Sequence, residues 1–495
     1  MKKFHHVLPM FCGIIIICIF FSFTANLFTI PKTWDVDALK AHSLPPPDTT
    51  AFVDYAPESY YDSIPTHVIY KTFPVYLREY ERKGYLDSLR NLKPEIAFDE
   101  TQFKTQADWI RAGEMVFNWP VAYTVVKDSI SSLTAQDFKG QTRKITDDGR
   151  YPFNRYVILE NGTLLKGSLS CASCHTRVMP DGKVIQGAQG NIFNNSRFAQ
   201  AVRSGRVPFA SIVDGTQKLY FTPWAPSTHQ MTPATSDEFA DALELASNGV
   251  AHRQGGSFER ALKIPSLFGV KDLKYLDHTG QMINNGPADL MRYAALNQGA
   301  DMLTSYNGFV PAGIDGHTKR PGSAEWKHPF GYAAKRYNDA QLFALTQYIY
   351  SLKAPRNPER SSKAVLKKGA SIFKREGCVT CHTPPLYTNN KLTPANGFEP
   401  PVNHFKKYDI FNVSVGTDST STLYTRRGTG YYKIPSLRNI WMHDAFFHHG
   451  ELSTLEDVFN PVRLNRQVRP VKGHPFGLSL SEEDKTALIA FLKSL

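Results

Sequence analysis

Two copies of Cys-x-x-Cys-His stand far apart in this chain, at Cys171-Ala172-Ser173-Cys174-His175 and at Cys378-Val379-Thr380-Cys381-His382. The pattern lets a chain hold haem covalently, with two thioethers from the cysteines and one axial bond to iron from the histidine. The simplest reading is a c-type cytochrome with two covalently attached haem c groups, their irons bound by His175 and His382. Zinc is the main competitor. Zinc ribbons place their cysteine pairs roughly 15–20 residues apart, whereas about 200 residues separate these two pairs. A thioredoxin-like redox pair needs a βαβ context, which neither site has. Histidine is 16 of the 495 residues. A histidine after one CxxC therefore arises by chance about 3% of the time, and after both about once in a thousand. Cys12 and Cys18 lie in an apolar N-terminal run and read as packing residues.

The chain opens Met1-Lys2-Lys3, and no charged residue occurs from Val7 to Ile30. A basic start followed by an apolar stretch is the pattern of an export signal. The stretch is longer than the 7–15 residues usual for one, and about 20 apolar residues span a bilayer. Residues 1–30 therefore read as a signal peptide or a membrane anchor. Both place the body outside the cytoplasm, and we expect a periplasmic protein, soluble after signal removal or tethered to the inner membrane by residues 7–30. The formal net charge of +12 omits the haem propionates. It fits a solvated lysine-rich face, or docking of an acidic redox partner. No concentrated basic run or nucleic-acid motif occurs, so nucleic acid is excluded as a partner.

The chain also repeats itself. Lys263-Ile264-Pro265-Ser266-Leu267 returns as Lys433-Ile434-Pro435-Ser436-Leu437, an offset of 170, and at that offset His278-Thr279-Gly280 meets His448-His449-Gly450. His328-Pro329-Phe330-Gly331 returns as His474-Pro475-Phe476-Gly477. Upstream of the motifs, Gly113 and Phe117 match Gly369 and Phe373 in helical stretches. Each copy closes on an amphipathic helix, with Leu342, Leu345, Ile349 and Leu352 on one face of the first and Leu488, Phe491, Leu492 and Leu495 on the second. The first copy carries an insert of about 49 residues between glycine and motif. In it, apolar runs flank Asn161-Gly162, the sign of a β-hairpin. The fold class is therefore mostly α: two tandem cytochrome c-like haem domains related by duplication, with a small β-hairpin insert and an N-terminal extension. The expected boundaries are an extension over 31–100, a first haem domain over 101–357 and a second over 358–495, divided near the helix-breaking Ala354-Pro355-Arg356-Asn357-Pro358.

Two CxxCH motifs together with Ile434-Pro435-Ser436-Leu437-Arg438-Asn439, His448-His449-Gly450 and Leu455-Glu456 resemble the bacterial di-haem cytochrome c peroxidase and MauG superfamily. The tail Gly473 to Ser481 looks most like its di-haem rubber-oxygenase branch. The resemblance covers roughly residues 101–495. It implies a C-terminal haem that is usually six-coordinate and carries electrons, and an N-terminal haem where peroxide or dioxygen reacts. In the peroxidases a methionine in the loop before the last helix binds the C-terminal iron. That loop has no methionine here but has His474, so the resemblance pairs His382 with His474. A bis-histidine haem has a lower potential than a His/Met one.

The N-terminal site departs from the family. The peroxidases have a distal histidine soon after the first motif, and none occurs in this chain from Thr176 to Leu219. His328, the counterpart of His474, is a weaker candidate ligand; otherwise it is a surface histidine beside Trp326 and Lys327. The family's inter-haem tryptophan falls at His278, and its catalytic glutamate at Gln298, which cannot act as a general base. His278 and Gln298 are thus the pocket candidates, and no residue is assigned a catalytic role. Each has a structural alternative, a turn histidine in the case of His278 and His448. Arg438 is a candidate partner for a haem propionate or a structural residue. Met282, Met302 and Met442 read as core. The chemistry expected is an oxidoreductase using dioxygen, peroxide or an unknown organic substrate, with a redox partner protein. The alternative is a non-catalytic electron carrier with both irons six-coordinate.

Overall fold

The computed structural model describes residues 28–138, 144–159, 161–192, 195–213, 222, 224–225, 235–247, 249–251, 262–298, 303–307, 335–467 and 470–495. The candidate ligand His328, Met302, and the N-terminal run through residue 27 with Cys12 and Cys18 lie outside them. Among the described residues no helix is long and apolar enough to cross a membrane.

Helix makes up about 36% of the chain, accompanied by short strands. Two helix pairs dominate. The helix Gln106–Asn118 starts at a capping box, in which Thr105 and Asp108 satisfy each other's backbone N–H. It packs against Asp339–Ser351, which Asn338 and Gln341 cap in the same way. The contact is close because position 113 is glycine: a Cβ there would lie 2.0 Å from the Ala344 carbonyl oxygen. The second pair is Lys363–Arg375 against Glu482–Lys493, capped by Ser362 and Ser481. Here a Cβ on Gly369 would lie 2.1 Å from the Ala487 carbonyl oxygen. Each pair anchors its own apolar core. The first gathers Trp109, Phe117, Leu342 and Leu345, and the second Ile372, Phe373, Leu488 and Leu492. Met282 is fully buried in the first core and Met442 is buried as well.

Residues 31–100 enter the first core. Trp34, Leu39, Tyr61 and Ile69 are buried in it, and Phe28 and Ile30 pack against it. The strand Val53–Tyr55 pairs antiparallel with Thr304–Tyr306. Thr72–Tyr76 forms one edge of a four-stranded sheet, followed in order by Arg150–Ile158, Leu164–Ser168 and Ala122–Val125. Arg150–Ile158 and Leu164–Ser168 pair antiparallel up to Ile158 and Leu164, with Gly162 in the left-handed conformation between them (φ 76°). The last strand of this hairpin leads directly into the first CxxCH, so the sheet fixes where that motif starts.

The two halves are joined by polar contacts. Arg177 makes a bidentate pair with Asp444 (3.0 and 2.6 Å), the geometry that suits a guanidinium to a carboxylate. Two backbone bonds cross in opposite senses: Lys263 N–H donates to the His448 carbonyl (2.8 Å), and Lys433 N–H donates to the His278 carbonyl (2.9 Å). The buried Arg427 reaches from the second half to Asn297 Oδ1 and the Leu296 carbonyl at the end of the helix Pro287–Asn297.

Candidate haem sites

The first motif folds as a helical turn, Cys171–His175. Ser170 caps it: its Oγ accepts from Ser173 N–H, and Ser173 Oγ accepts from Ser170 N–H. Residues three apart on such a turn share a face, so both thiols of CxxC point to one side. The second motif begins after Gly377, whose left-handed backbone (φ 76°) ends the Lys363–Arg375 helix and starts the 3-10 turn Cys378–Thr380. The four motif cysteines form no disulfide. Among the described residues no three histidine, cysteine or acidic groups converge to hold a metal ion. Each motif offers two thiols and one histidine, a donor set that suits a tethered haem better than zinc.

The motif histidines are oriented alike. His175 Nδ1 lies 3.0 Å from the Pro265 carbonyl. His382 Nδ1 lies 3.1 Å from the Pro435 carbonyl and 3.1 Å from that of Tyr387. A carbonyl can only accept, so each Nδ1 carries the proton, and each Nε2 keeps the lone pair an iron needs. Burial holds His382 below the usual imidazole pKa, against the pull of its two carbonyl bonds. Ser266 and Ser436 brace the two loops in parallel, donating to the Gly187 and Leu386 carbonyls. Backbone geometry follows the same spacing. Gly269 and Asn439, Asp277 and Phe447, and Gly280 and Gly450 are all left-handed, with φ between 60° and 71°.

A cavity of about 310 Å³ opens at the second motif, bordered by Cys378, Cys381, His382 and His474. His474 is held firmly. Its N–H donates to the Val415 carbonyl (2.7 Å), and its own carbonyl accepts from Arg463 Nη2 (2.8 Å). Phe447 and Phe476 pack edge-on to its ring. Its backbone is left-handed (φ 49°), a conformation costly for a non-glycine residue. Burial, then the nearby charge of His382, pushes its pKa down to about 4. It is therefore a neutral imidazole facing the same cavity as His382.

The cavity continues from the second motif to Lys263, Asp277, His278, Lys433, His443 and His448. The rings of His278 and His448 stack, 6.3 Å apart at 8°. His278 Nδ1 is bound to the Asp277 carboxylate, while its Nε2 is buried with no hydrogen-bond partner among the described residues. Asp277 also accepts from Tyr293 (2.6 Å). On the other side Tyr432 stacks on His448 and meets its Nε2 at 3.2 Å. His449 accepts from Glu451 N–H. Gln298, the other pocket candidate, closes the Pro287–Asn297 helix and points Nε2 at Cys171 Sγ (3.6 Å), so it stands at the attachment edge of the first site. Arg438 lines the cavity and donates to Asp272 across the halves (3.1 Å). Lys263, Lys433, Asp277 and Tyr432 escaped the sequence reading as site residues. The lysines carried a signal, since both open the repeated Lys-Ile-Pro-Ser-Leu; Asp277 and Tyr432 carried none.

No protein-family model matches this chain. Curated relatives do. It is 27% identical over 131 residues to the cytochrome c551 peroxidase of Nitrosomonas europaea, covering 26% of this chain and 33% of that protein. It is 25% identical over 178 residues to the cytochrome c peroxidase Ccp of Escherichia coli, covering 34% of each. It is 23% identical over 188 residues to hydrazine synthase subunit gamma of Kuenenia stuttgartiensis, covering 34% of this chain and 52% of that one. Among solved structures, the diheme peroxidase BthA of Burkholderia thailandensis overlays with a TM-score of 0.24 at 15% identity, over 87% of this chain and 94% of its own. Hydrazine synthase of Kuenenia stuttgartiensis gives 0.28 at 16%, over 57% and 86%. Overlays this loose carry no argument. The chain is thus similar to cytochrome c peroxidases and to a hydrazine synthase subunit, through stretches spanning a third to about half of their length.

Proposed function

We propose that this chain is an exported di-haem c-type cytochrome acting as an oxidoreductase, built from two cytochrome c-like domains by duplication and divided near residue 357. The observation that carries the reading is the matched orientation of His175 and His382 by the Pro265 and Pro435 carbonyls. Supporting the duplication are the glycine-opened helix pairs and the left-handed residues repeated at the offset of 170.

Haem, when bound, would supply redox chemistry, toward peroxide or dioxygen at the N-terminal site and as an electron store at the C-terminal one. The protein sets ligation, access and potential. Cys171 with Cys174, and Cys378 with Cys381, hold the two groups. His382 and His474 would hold the iron of the second. His278, its Nδ1 anchored on Asp277, lines the cavity with Nε2 buried. Its ring could hold or give a proton there, a task that Gln298 cannot perform. The kinship with cytochrome c peroxidases makes peroxide the first substrate to try, delivered with electrons from a redox partner protein. The alternative, a pure electron carrier, draws support from the closed second site.

The test uses full-length protein matured with a cytochrome c assembly system. Peroxide turnover above a free-haem control, with only one iron binding cyanide, is the expected result. Two six-coordinate irons, inert to cyanide, carbon monoxide and peroxide, would leave only the electron carrier.

A further inference from the structure

Lys263 and Lys433 are the same residue of the repeat, and both line the cavity at the second motif, which also reaches Pro265, whose carbonyl meets His175. Each is partly covered. Among the described residues neither ammonium forms an ion pair, and Lys433 Nζ reaches the Tyr275 carbonyl (3.3 Å). They are close enough for the charge of Lys433 to push Lys263 further down after burial has done so, and burial holds each at about 8. Asp277, the carboxylate acting on Lys433, is already engaged by His278 and Tyr293. Two covered cations facing one another are costly unless an anion joins them. Their backbones are fixed by the crossed bonds to His448 and His278, which sets where the two side chains start.

Resting on the haem reading above, we propose that Lys263 and Lys433 form a carboxylate-binding pair for the haem propionates, one lysine serving each site. Each repeat would thereby place its lysine two residues before the proline that orients its axial histidine. The same five-residue segment would hold both the iron side and the acid edge of a haem.

The experiment compares haem-loaded wild type with Lys263→Met, Lys433→Met and the double variant, using Lys→Arg at each position as rescue. Two readouts are needed: midpoint potentials by spectroelectrochemistry, and redox-difference infrared spectra with carbon-13 in the haem propionates. Removing an ammonium beside a haem favours the ferric form. Each Lys→Met is expected to lower one haem's potential by about 59 mV or more, the tenfold change of a one-electron couple. It should also shift that haem's propionate bands, and Lys→Arg should restore both. Unchanged potentials, or lowered potentials with unmoved propionate bands, would overturn the lysine assignment while leaving the haem reading intact. A wild-type protein without added haem mass would overturn the haem reading, and the lysine pair with it.

Discussion

The two CxxCH sites are alike on one side and different on the other. On the histidine side, a proline carbonyl meets Nδ1 at 3.0 Å in the first and 3.1 Å in the second. Serines brace the same loop, and a lysine stands two residues before the proline. On the far side the second site has His474, held at a left-handed backbone position and facing His382 across a cavity. Around the first site, the neighbour seen is Gln298 against Cys171, while the Asp277–His278 pair stacked on His448 lines the cavity at the second. The lesson is that the part of a haem site that orients the fixed ligand is shared, while the part that decides what else reaches the iron has diverged.

The largest expected effect concerns independence. Cys171→Ser with Cys174→Ser should abolish one haem and leave the other, and Cys378→Ser with Cys381→Ser the reverse. Intact mass counts haems per chain, and loss of both in either variant would mean the two sites do not mature separately. Next in size is His474→Met. It should leave the second iron six-coordinate and raise its potential, within the roughly 0.8 V span that axial ligands command. The first haem should not move; if only the first moves, the ligand assignment is reversed.

Third come the glycines that let each helix pair close. Gly113→Ala and Gly369→Ala both drive a Cβ into backbone carbonyl oxygen, at 2.0 and 2.1 Å. Each should cost about 1–3 kcal/mol, read by denaturant midpoint, and similar costs would mark the two pairs as equivalent. The smallest effect is expected for Arg438→Ala. Its bond to Asp272 is about a third exposed, so the loss should stay near 1 kcal/mol or below. A clear fall in haem potential without loss of stability would instead restore Arg438 as a propionate partner.

Much of the site was legible because its signal is local. A CxxCH is five residues, and the repeated Lys-Ile-Pro-Ser-Leu marked the loops that supply the orienting carbonyls. The lysine at its head was visible but looked like a surface charge until its side chain was seen lining the cavity. The His278–His448 stack depends on two turns 170 residues apart meeting across the halves, and no local pattern encodes that. Asp277 takes a left-handed backbone without being glycine, so nothing marked its turn. The extension over 31–100 lacked a repeat partner, yet Trp34 and Leu39 are buried in the first core. No local pattern in it indicated which core those side chains would fill.

The most direct test is an electron paramagnetic resonance spectrum of the ferric holoprotein, before and after cyanide. With His382 and His474 closing the second iron and the first left open, one low-spin bis-histidine signal should ignore cyanide and a second signal should convert on binding it. Two low-spin signals, both untouched, would contradict that division of roles.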